Sequence, residues 1–269
     1  MSYYNHHYDP KQNRQRLIEI YNETQKYCKK YANLLHFTPT KRYNLISNRI
    51  GSEFKQRFDT TTIRVVNMKT IQAVLELNET LKPKGDSEYK ILVLNMASKR
   101  HYGGGVKRGS VAQEEDLFRK TDYSLHPIVD KKGKRAYPCE LNQYTYTPNV
   151  IIVRDHTYKK LLLSEFVKVD MIAMSAITKP ELDEHGHLYP ADYALTLAKI
   201  DTIFKSAIMN YCTDLVLGAL GCGAFANPPQ DIAKAFKKCQ VKYKRSFNSI
   251  TYAVYSSKDT NYDVFKSII

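Results

Sequence analysis

The residues best suited to chemistry in this 269-residue chain lie in one stretch that begins with glycines and ends with acids. A glycine triplet at 103–105 is followed, after seven residues, by Gln113, Glu114 and Glu115. A backbone without β-carbons can lie against a ligand, and a carboxyl group just beyond it can donate or accept a proton. The stretch therefore predicts a catalytic loop. The simpler alternative is a flexible turn followed by a solvated helix start, and either half alone would fit it.

The elements around this stretch are predicted to hold it where ligand sites commonly occur. The apolar run 91–94 predicts a strand buried on both faces, and helical spacing over 116–123 predicts a helix that has the acids in its first turn. Open α/β sheets bind ligands at the carboxyl ends of their strands. The glycine triplet follows such an end, which favours the catalytic interpretation.

A second glycine-rich segment also follows an apolar run that is typical of a buried strand. Gly221 and Gly223 flank Cys222, and Phe225 and Asn227 follow before a pair of prolines. The backbone N–H groups of such a turn can form a concavity that binds a pyrophosphate, and Asn227 can cap the next helix. A strand, a tight turn and a capped helix without a ligand would give the same pattern. Parallel strands would bring both glycine loops to the same edge of the sheet, which favours a shared site.

Together the two loops resemble those of a known family. The segments Leu-Asn-Met-Ala-Ser, Gly-Gly-Gly, Gln-Glu-Glu-Asp-Leu and Gly-Cys-Gly-Ala-Phe-Ala-Asn-Pro-Pro are similar to the microbial-type (bacterial-like) poly(ADP-ribose) glycohydrolases of the macrodomain superfamily. The resemblance extends from about Thr61 to about Phe265. It implies an α/β fold, a macrodomain-like three-layer αβα sandwich with a mixed central sheet. It also implies hydrolysis of the ribose O-glycosidic bond in poly(ADP-ribose), with release of ADP-ribose and without a metal or cofactor.

The resemblance further implies roles for individual residues. Glu115 corresponds to the catalytic acid, and Glu114 to a residue that holds hydroxyls of the ribose at the scissile bond. The first glycine loop would approach that ribose and the phosphates, and the second would wrap the diphosphate. Where the family often has an Ala-Pro-Asn-like run, this chain has Ile-Thr-Lys-Pro-Glu at 177–181. The resemblance therefore does not extend to the details of the pocket wall. Ligand contacts are implied for Asn95, Gly103, Gly104, Gly105, Gln113, Gly221, Cys222, Gly223, Ala224, Phe225 and Asn227.

The chemistry of the bond is consistent with one acid/base rather than two. Glycoside cleavage passes through an oxocarbenium-like state, in which a carboxyl group can protonate the leaving oxygen and then accept a proton from water. Most glycosidases use two carboxyl groups well separated across the bond, whereas the adjacent Glu114 and Glu115 would diverge on a helix or turn. We therefore expect Glu115 to act on the bond and Glu114 to orient the ligand, while the substrate's own diphosphate helps to stabilise the cation.

The rest of the sequence predicts one α/β body preceded by an extension. Helical spacing over 14–35 and 43–58 predicts a basic helical extension, residues 1–58, packed on a catalytic domain of residues 59–269. Alternating strand and helix patterns in that domain predict a mixed sheet covered on both faces. The expected strands are 61–66, 89–94, 150–154, 169–175, 215–219 and 250–255, and the expected further helices are 70–81, 193–211 and 231–239.

The net charge of +14 suggests a polyanionic partner. Residues 1–58 contain 11 lysines and arginines against 4 acidic residues. Such a face attracts a polymer with two phosphates per unit, although it can also serve solubility alone. Three functions remain open: the hydrolase, an ADP-ribose-binding macrodomain reader with little turnover, and a basic nucleic-acid-binding protein. The intact Gln-Glu-Glu favours the first, and no recognised nucleic-acid motif accompanies the charge.

Composition argues against several other classes. The sequence has no apolar run long enough for a membrane span and no signal-peptide core, so we expect a cytoplasmic or nuclear protein without membrane contact. Five cysteines without a CxxC pair favour reduced thiols over a disulfide framework or a zinc site. The expected partner is ADP-ribose or poly(ADP-ribose) on modified proteins, with weak nucleic-acid association through the basic extension. We expect a monomer.

Overall fold

The structure is a computed structural model that describes residues 10–48, 51, 56–82, 89–129, 133–256 and 261–269. A seven-stranded sheet runs through it, with helices on both faces. The strands are β1 (Lys41–Asn44), β2 (Thr62–Val66), β3 (Ile91–Met96), β4 (Gln143–Ile152), β5 (Val167–Met174), β6 (Asp214–Leu217) and β7 (Ser249–Ala253). The α-helices are α1 (Pro10–Lys30), α2 (Thr70–Leu81), α3 (Gln113–Lys120), α4 (Pro190–Met209), α5 (Pro229–Lys242) and α6 (Asn261–Ile268).

The strand order is β1-β4-β5-β3-β6-β7-β2, and β4 runs antiparallel to both of its neighbours. The consecutive strands β5, β3, β6, β7 and β2 are parallel. Their carboxyl ends therefore lie along one edge of the sheet. The predictions of a mixed sheet and of two glycine loops on one edge are confirmed, because those loops follow β3 and β6.

The central strand β3 shows why the fold has three layers. Leu92 and Leu94 point into a core that is shared with α4, α5 and α6. Ile91 and Val93 point into the opposite core, which is shared with α2 and α3 and receives Tyr21 from α1. All four β3 side chains are buried, and complete burial of such a side chain contributes roughly 1.5–3 kcal/mol. The strand is thus buried on both faces, and the αβα sandwich is confirmed.

The N-terminal helix α1 packs directly on the body through α3. The buried guanidinium of Arg119 donates to the Leu17 carbonyl (3.3 Å), and the Thr24 hydroxyl donates to the Arg119 carbonyl (2.7 Å). Gly109 has a φ of +72°, and a β-carbon there would lie 2.6 Å from the carbonyl oxygen of Arg14. The segment after the first glycine loop therefore passes against the backbone of α1.

The second helix predicted for the extension, 43–58, is wrong where the structure describes it. Residues 41–44 form β1 and pair antiparallel with β4, and 45–48 are not helical. Residues 49–50 and 52–55 of that prediction lie outside the described residues. The Tyr43 ring stacks on Tyr144 of β4, with ring centroids 5.4 Å apart. Pairing with a distant strand therefore outweighs the local helical spacing.

The remaining predictions of elements are confirmed, with ends shifted by several residues. The largest shift is in β4, which begins at Gln143 rather than at 150 and contains an irregularity between Thr147 and Val150. None of the helices in the described ranges combines the length and the hydrophobicity that crossing a membrane requires.

Candidate active site

The first glycine loop lies directly against Glu114 and Glu115 at the start of α3. Gly103 and Gly104 have φ values of +79° and +56°, in the left-handed region that glycine tolerates best. The Gly103 N–H donates to Oε1 of Glu114 (3.2 Å), and the Gly105 N–H donates to Oε1 of Glu115 (2.7 Å). The structure therefore brings together the predicted glycines and both predicted acids.

At Gly104, the backbone of the loop leaves no space for a side chain beside the carboxyl groups of Glu114 and Glu115. A β-carbon at this position would lie 2.5 Å from Oε1 of Glu115 and 3.0 Å from Oε2 of Glu114. No side chain fits between this backbone and the two carboxyl groups without displacing them. Glycine is required here both for the positive φ and for the space.

Glu114 is buried and held on both carboxyl oxygens. Oε2 accepts a hydrogen bond from the Ser98 N–H (2.8 Å), and Oε1 accepts bonds from the Gly103 N–H and from Nδ2 of Asn95 (3.4 Å). The residue is 3% exposed. Burial raises the pKa of Glu114 to about 8, although these hydrogen bonds favour the carboxylate. Its fixed geometry suits a group that orients a ligand.

Glu115 differs from its neighbour in having one oxygen without a protein partner. Oε1 is held by the Gly105 N–H, whereas Oε2 is buried and has no hydrogen-bond partner among the described residues. The residue is 7% exposed. A buried polar atom left unpaired typically costs about 1–3 kcal/mol, so such a position is informative. An unpaired carboxyl oxygen can exchange a proton with a group bound beside it.

Gln113 connects three segments at the edge of the sheet. Its Nε2 donates to the Leu94 carbonyl (2.7 Å) and to the Thr70 hydroxyl (3.2 Å), and its Oε1 accepts from the Met96 N–H (2.9 Å). The amide therefore ties the start of α3 to the end of β3 and the start of α2. Asn95, also on β3, is buried, and its amide contacts the carboxyl group of Glu114.

The second glycine loop is closed by Asn227. Its Nδ2 lies within hydrogen-bond distance of the carbonyls of Gly221 (3.2 Å), Phe225 (3.2 Å) and Ile177 (2.7 Å). The Lys179 N–H adds a bond to the Phe225 carbonyl (2.8 Å). The Asn227 side chain thus braces the loop from inside, and the 177–181 segment supports the loop from outside.

Two adjoining cavities lie along this edge of the sheet. The smaller, about 330 Å³, is lined by the predicted Gly221, Gly223, Ala224 and Phe225. The larger, about 430 Å³, extends towards α1. Met96, Gln113, Ala219 and Gly223 line both. Volumes of this order are typical of small-molecule sites.

Several predicted residues, including Asn95 and the glycines 103–105, line neither of these two cavities. Glu114 and Glu115 are covered by the backbone of the first glycine loop. Neither Cys222, whose side chain is partly buried, nor the bracing Asn227 lines either cavity. None of the five cysteines, all of which lie in the described residues, forms a disulfide. Within the described residues, no cluster of three His, Cys, Asp or Glu side chains could hold a metal ion.

The wall of the larger cavity includes residues that sequence reasoning missed. Asp116 accepts hydrogen bonds from the Tyr158 hydroxyl (2.6 Å) and from Nζ of Lys120 (2.7 Å). The Lys120 ammonium also lies over the Tyr158 ring, 4.5 Å from its centroid. Burial lowers the pKa of Lys120 and raises that of Tyr158. Tyr158 has a φ of +74° in the segment between β4 and β5, and no local sequence signal links it to α3.

Comparison with known proteins identifies the family. A model of the catalytic domain of microbial-type PARG, poly(ADP-ribose) glycohydrolase, matches residues 2–155, more than half of the chain. The chain therefore belongs to the microbial-type PARG family and is a glycohydrolase. The resemblance inferred from the two loops is confirmed. The comparison with curated proteins finds no match.

Solved structures agree with this assignment. The poly(ADP-ribose) glycohydrolase from Thermomonospora curvata has a TM-score of 0.70 at 20% identity, with 95% of this chain and 100% of that chain covered. The same enzyme bound to the inhibitor ADP-HPD gives the same values. A point mutant of the Deinococcus radiodurans enzyme in complex with ADP-ribose has a TM-score of 0.65 at 25% identity, covering 85% and 93%. These structures share the fold described above.

Proposed function

We propose that this enzyme hydrolyses the ribose O-glycosidic bond of poly(ADP-ribose) and releases ADP-ribose, with Glu115 as the general acid and base. The observation that carries this proposal is the carboxyl group of Glu115, whose Oε1 lies against the side-chain-free backbone of Gly104 and whose Oε2 has no partner among the described residues. The family assignment and the ADP-ribose complexes of the D. radiodurans enzyme support the substrate class.

In the proposed reaction, Glu115 first gives a proton to the leaving ribose oxygen through Oε2. The bond between the anomeric carbon and that oxygen then breaks, and positive charge develops on the ribose ring. The Gly105 N–H holds Oε1, so that the other oxygen keeps one orientation. The carboxylate finally takes a proton from the attacking water and returns to its starting state.

Glu114 is assigned an orienting role in this scheme. Both of its oxygens are fixed by protein donors, so it would present an acceptor of fixed orientation to the ribose hydroxyls. The smaller cavity, lined by the loop at 221–225, would hold the diphosphate against backbone N–H groups. Gln113 and Asn227 are assigned positioning roles, because their amide N–H groups bond to backbone carbonyls.

Release of ADP-ribose from a polymer distinguishes a hydrolase from a protein that only binds ADP-ribose. Wild-type protein and Glu115→Gln are incubated with automodified, polymer-bearing protein, and ADP-ribose binding to both is measured by calorimetry. We expect the wild type to release ADP-ribose and the variant to release it about 100-fold or more slowly, since general acid–base catalysis contributes 10²–10⁴-fold. Binding of ADP-ribose should change little.

The matched control is Glu76→Gln, which removes an exposed carboxylate on α2 and should leave release unchanged. Binding without release by the wild type would identify a reader instead of a hydrolase. Full turnover by Glu115→Gln would remove Glu115 from the mechanism.

A further inference from the structure

The first glycine loop is flanked by an unusual density of positive charge. The ten residues 99–108 include Lys99, Arg100, Lys107 and Arg108 and no acid, whereas the whole chain has 41 lysines and arginines in 269 residues. Arg100, Lys107 and Arg108 are exposed, and Lys99 is half-buried. None of the four forms an ion pair with an acidic side chain in the part of the chain that the structure describes.

We propose that these four residues, the basic rim, bind phosphates of the polymer that is still attached to the scissile ribose. This inference rests on the proposed function. It makes the favoured substrate a polymer, whose leaving group carries phosphates, rather than an ADP-ribose unit with a neutral leaving group.

The backbone holds the basic rim in place on both sides of the loop. Before the loop, the Ser98 hydroxyl accepts the N–H groups of Arg100 and His101, both at 3.2 Å, and the Lys99 carbonyl accepts the Cys139 N–H (2.8 Å). After the loop, the Gly105 carbonyl accepts the Arg108 N–H (2.8 Å) in a short 3-10 helix. The backbone that carries the two pairs of basic residues is thus held on both sides of residues 103–105.

The direction of the reaction explains why cations are useful there. The glycine loop contacts the carboxyl group of Glu115, so the scissile bond of the proposed reaction lies beside this loop. The released ADP-ribose extends from that point into the cavities, and the remaining polymer leaves on the other side of the bond. Each remaining unit brings two phosphates past the loop. Arginine binds phosphate with two parallel hydrogen bonds, and lysine attracts it as a point charge.

The test compares two substrates that differ only in their leaving group. One is protein-free poly(ADP-ribose), and the other is ADP-ribose joined at the same ribose carbon to para-nitrophenol, a leaving group without phosphate. The double variant Arg100→Gln/Lys107→Gln removes one exposed cation from each side of the loop. Its matched control, Lys238→Gln/Lys244→Gln, removes the same charge near the end of α5 farthest from the second glycine loop.

We expect the rim variant to lower kcat/KM for the polymer on the order of tenfold at low ionic strength, since steering by local charge changes association at least this much. The fall in polymer turnover with added salt should become shallower. Turnover of the nitrophenyl substrate should be unchanged, and the control pair should behave as the wild type on both substrates.

Four results would overturn the inference and leave the proposed function standing. The rim variant could leave polymer turnover unchanged, lose activity equally on both substrates, or lose no more than the control pair. It could also lose affinity for a DNA or RNA oligonucleotide while polymer turnover stays the same, which would make the rim a nucleic-acid surface. A wild type that cleaves neither substrate would contradict the proposed function itself, and the inference with it.

Discussion

At the scale of single residues, two adjacent glutamates are made different by their neighbours. Glu114 has protein donors on both oxygens, whereas Glu115 has a donor on Oε1 and, among the described residues, no partner on Oε2. The glycine loop provides a donor to each, through the N–H groups of Gly103 and Gly105. This difference is the reason why we propose proton transfer by Glu115 and an orienting role for Glu114.

The raised pKa of Glu114 predicts how stability depends on pH. Burial raises this pKa from 4.5 to about 8, so between these values the folded protein holds a proton that the unfolded chain has lost. The contribution of Glu114 to the free energy of unfolding is therefore complete below pH 4.5, falls as pH rises, and is lost above about 8. Glu114→Gln cannot titrate and should lack this dependence.

The measurement is urea unfolding of the wild type and Glu114→Gln between pH 5 and 8. We expect the wild type to lose stability relative to the variant by on the order of a few kcal/mol across this range. Other titrating groups are common to both proteins and cancel in the difference. A difference that stays constant with pH would show that Glu114 is not protonated in the folded protein near neutral pH.

The sequence predicted which site residues meet, but not which atoms they use. The spacing of glycines and acids placed residues 103–105 against Glu114 and Glu115, because both follow from one strand end and one helix start. The bracing roles of Gln113 and Asn227 could not be predicted. They depend on the carbonyls of Leu94 and Ile177, which are 19 and 50 positions away in sequence. Only tertiary packing brings these amides to those carbonyls.

At the scale of elements, the first glycine loop tolerates substitution poorly. Gly104→Ala would force a β-carbon to within 2.5 Å of Oε1 of Glu115 and would strain a φ of +56°. We expect turnover to fall by about 100-fold, since displacing a reacting group by about 1 Å has this effect. ADP-ribose release measured under saturating substrate gives the value.

Gly186→Ala is the control for backbone strain in this experiment. Gly186 has a similar φ of +78°, but a β-carbon there would meet nothing within 4 Å. It should therefore keep full turnover. Equal losses in the two variants would mean that strain, rather than contact with the carboxyl group, limits position 104.

The parallel strands were predictable as elements, whereas β1 was not. Strands such as β3 carry their own signal, because four consecutive apolar residues must be buried on both faces. β1 lacks such a signal, since most of its residues are exposed and its conformation comes from pairing with β4. The helix predicted for that region therefore failed for a physical reason.

At the scale of the whole molecule, α1 is integrated with the catalytic body. Its buried residues recur at helical spacing, and Leu17 also lines the larger cavity. The family match begins at residue 2 and crosses residue 58 without interruption. The division into an extension of residues 1–58 and a domain of residues 59–269 stays a prediction. We expect α1 to be required for the stability of the body.

Leu17→Ala tests this integration. The side chain of Leu17 is buried, so its truncation should lower the free energy of unfolding by about 2–4 kcal/mol in a single cooperative transition. Leu34→Ala, which truncates a leucine that is 64% exposed just after α1, should change it by less than about 0.5 kcal/mol. Equal small effects would indicate that α1 is only loosely attached.

The central claim, that Glu115 rather than Glu114 performs the proton transfer, is tested most directly by single-turnover kinetics. Glu115→Gln and Glu114→Gln are each mixed in excess with poly(ADP-ribose), at enzyme concentrations that saturate binding, and the rate of bond cleavage is followed. We expect Glu115→Gln to cleave at least about 100-fold more slowly than the wild type while binding ADP-ribose normally. Glu114→Gln should mainly weaken binding and cleave faster than Glu115→Gln once saturated. Cleavage by Glu115→Gln at the wild-type rate would contradict the account.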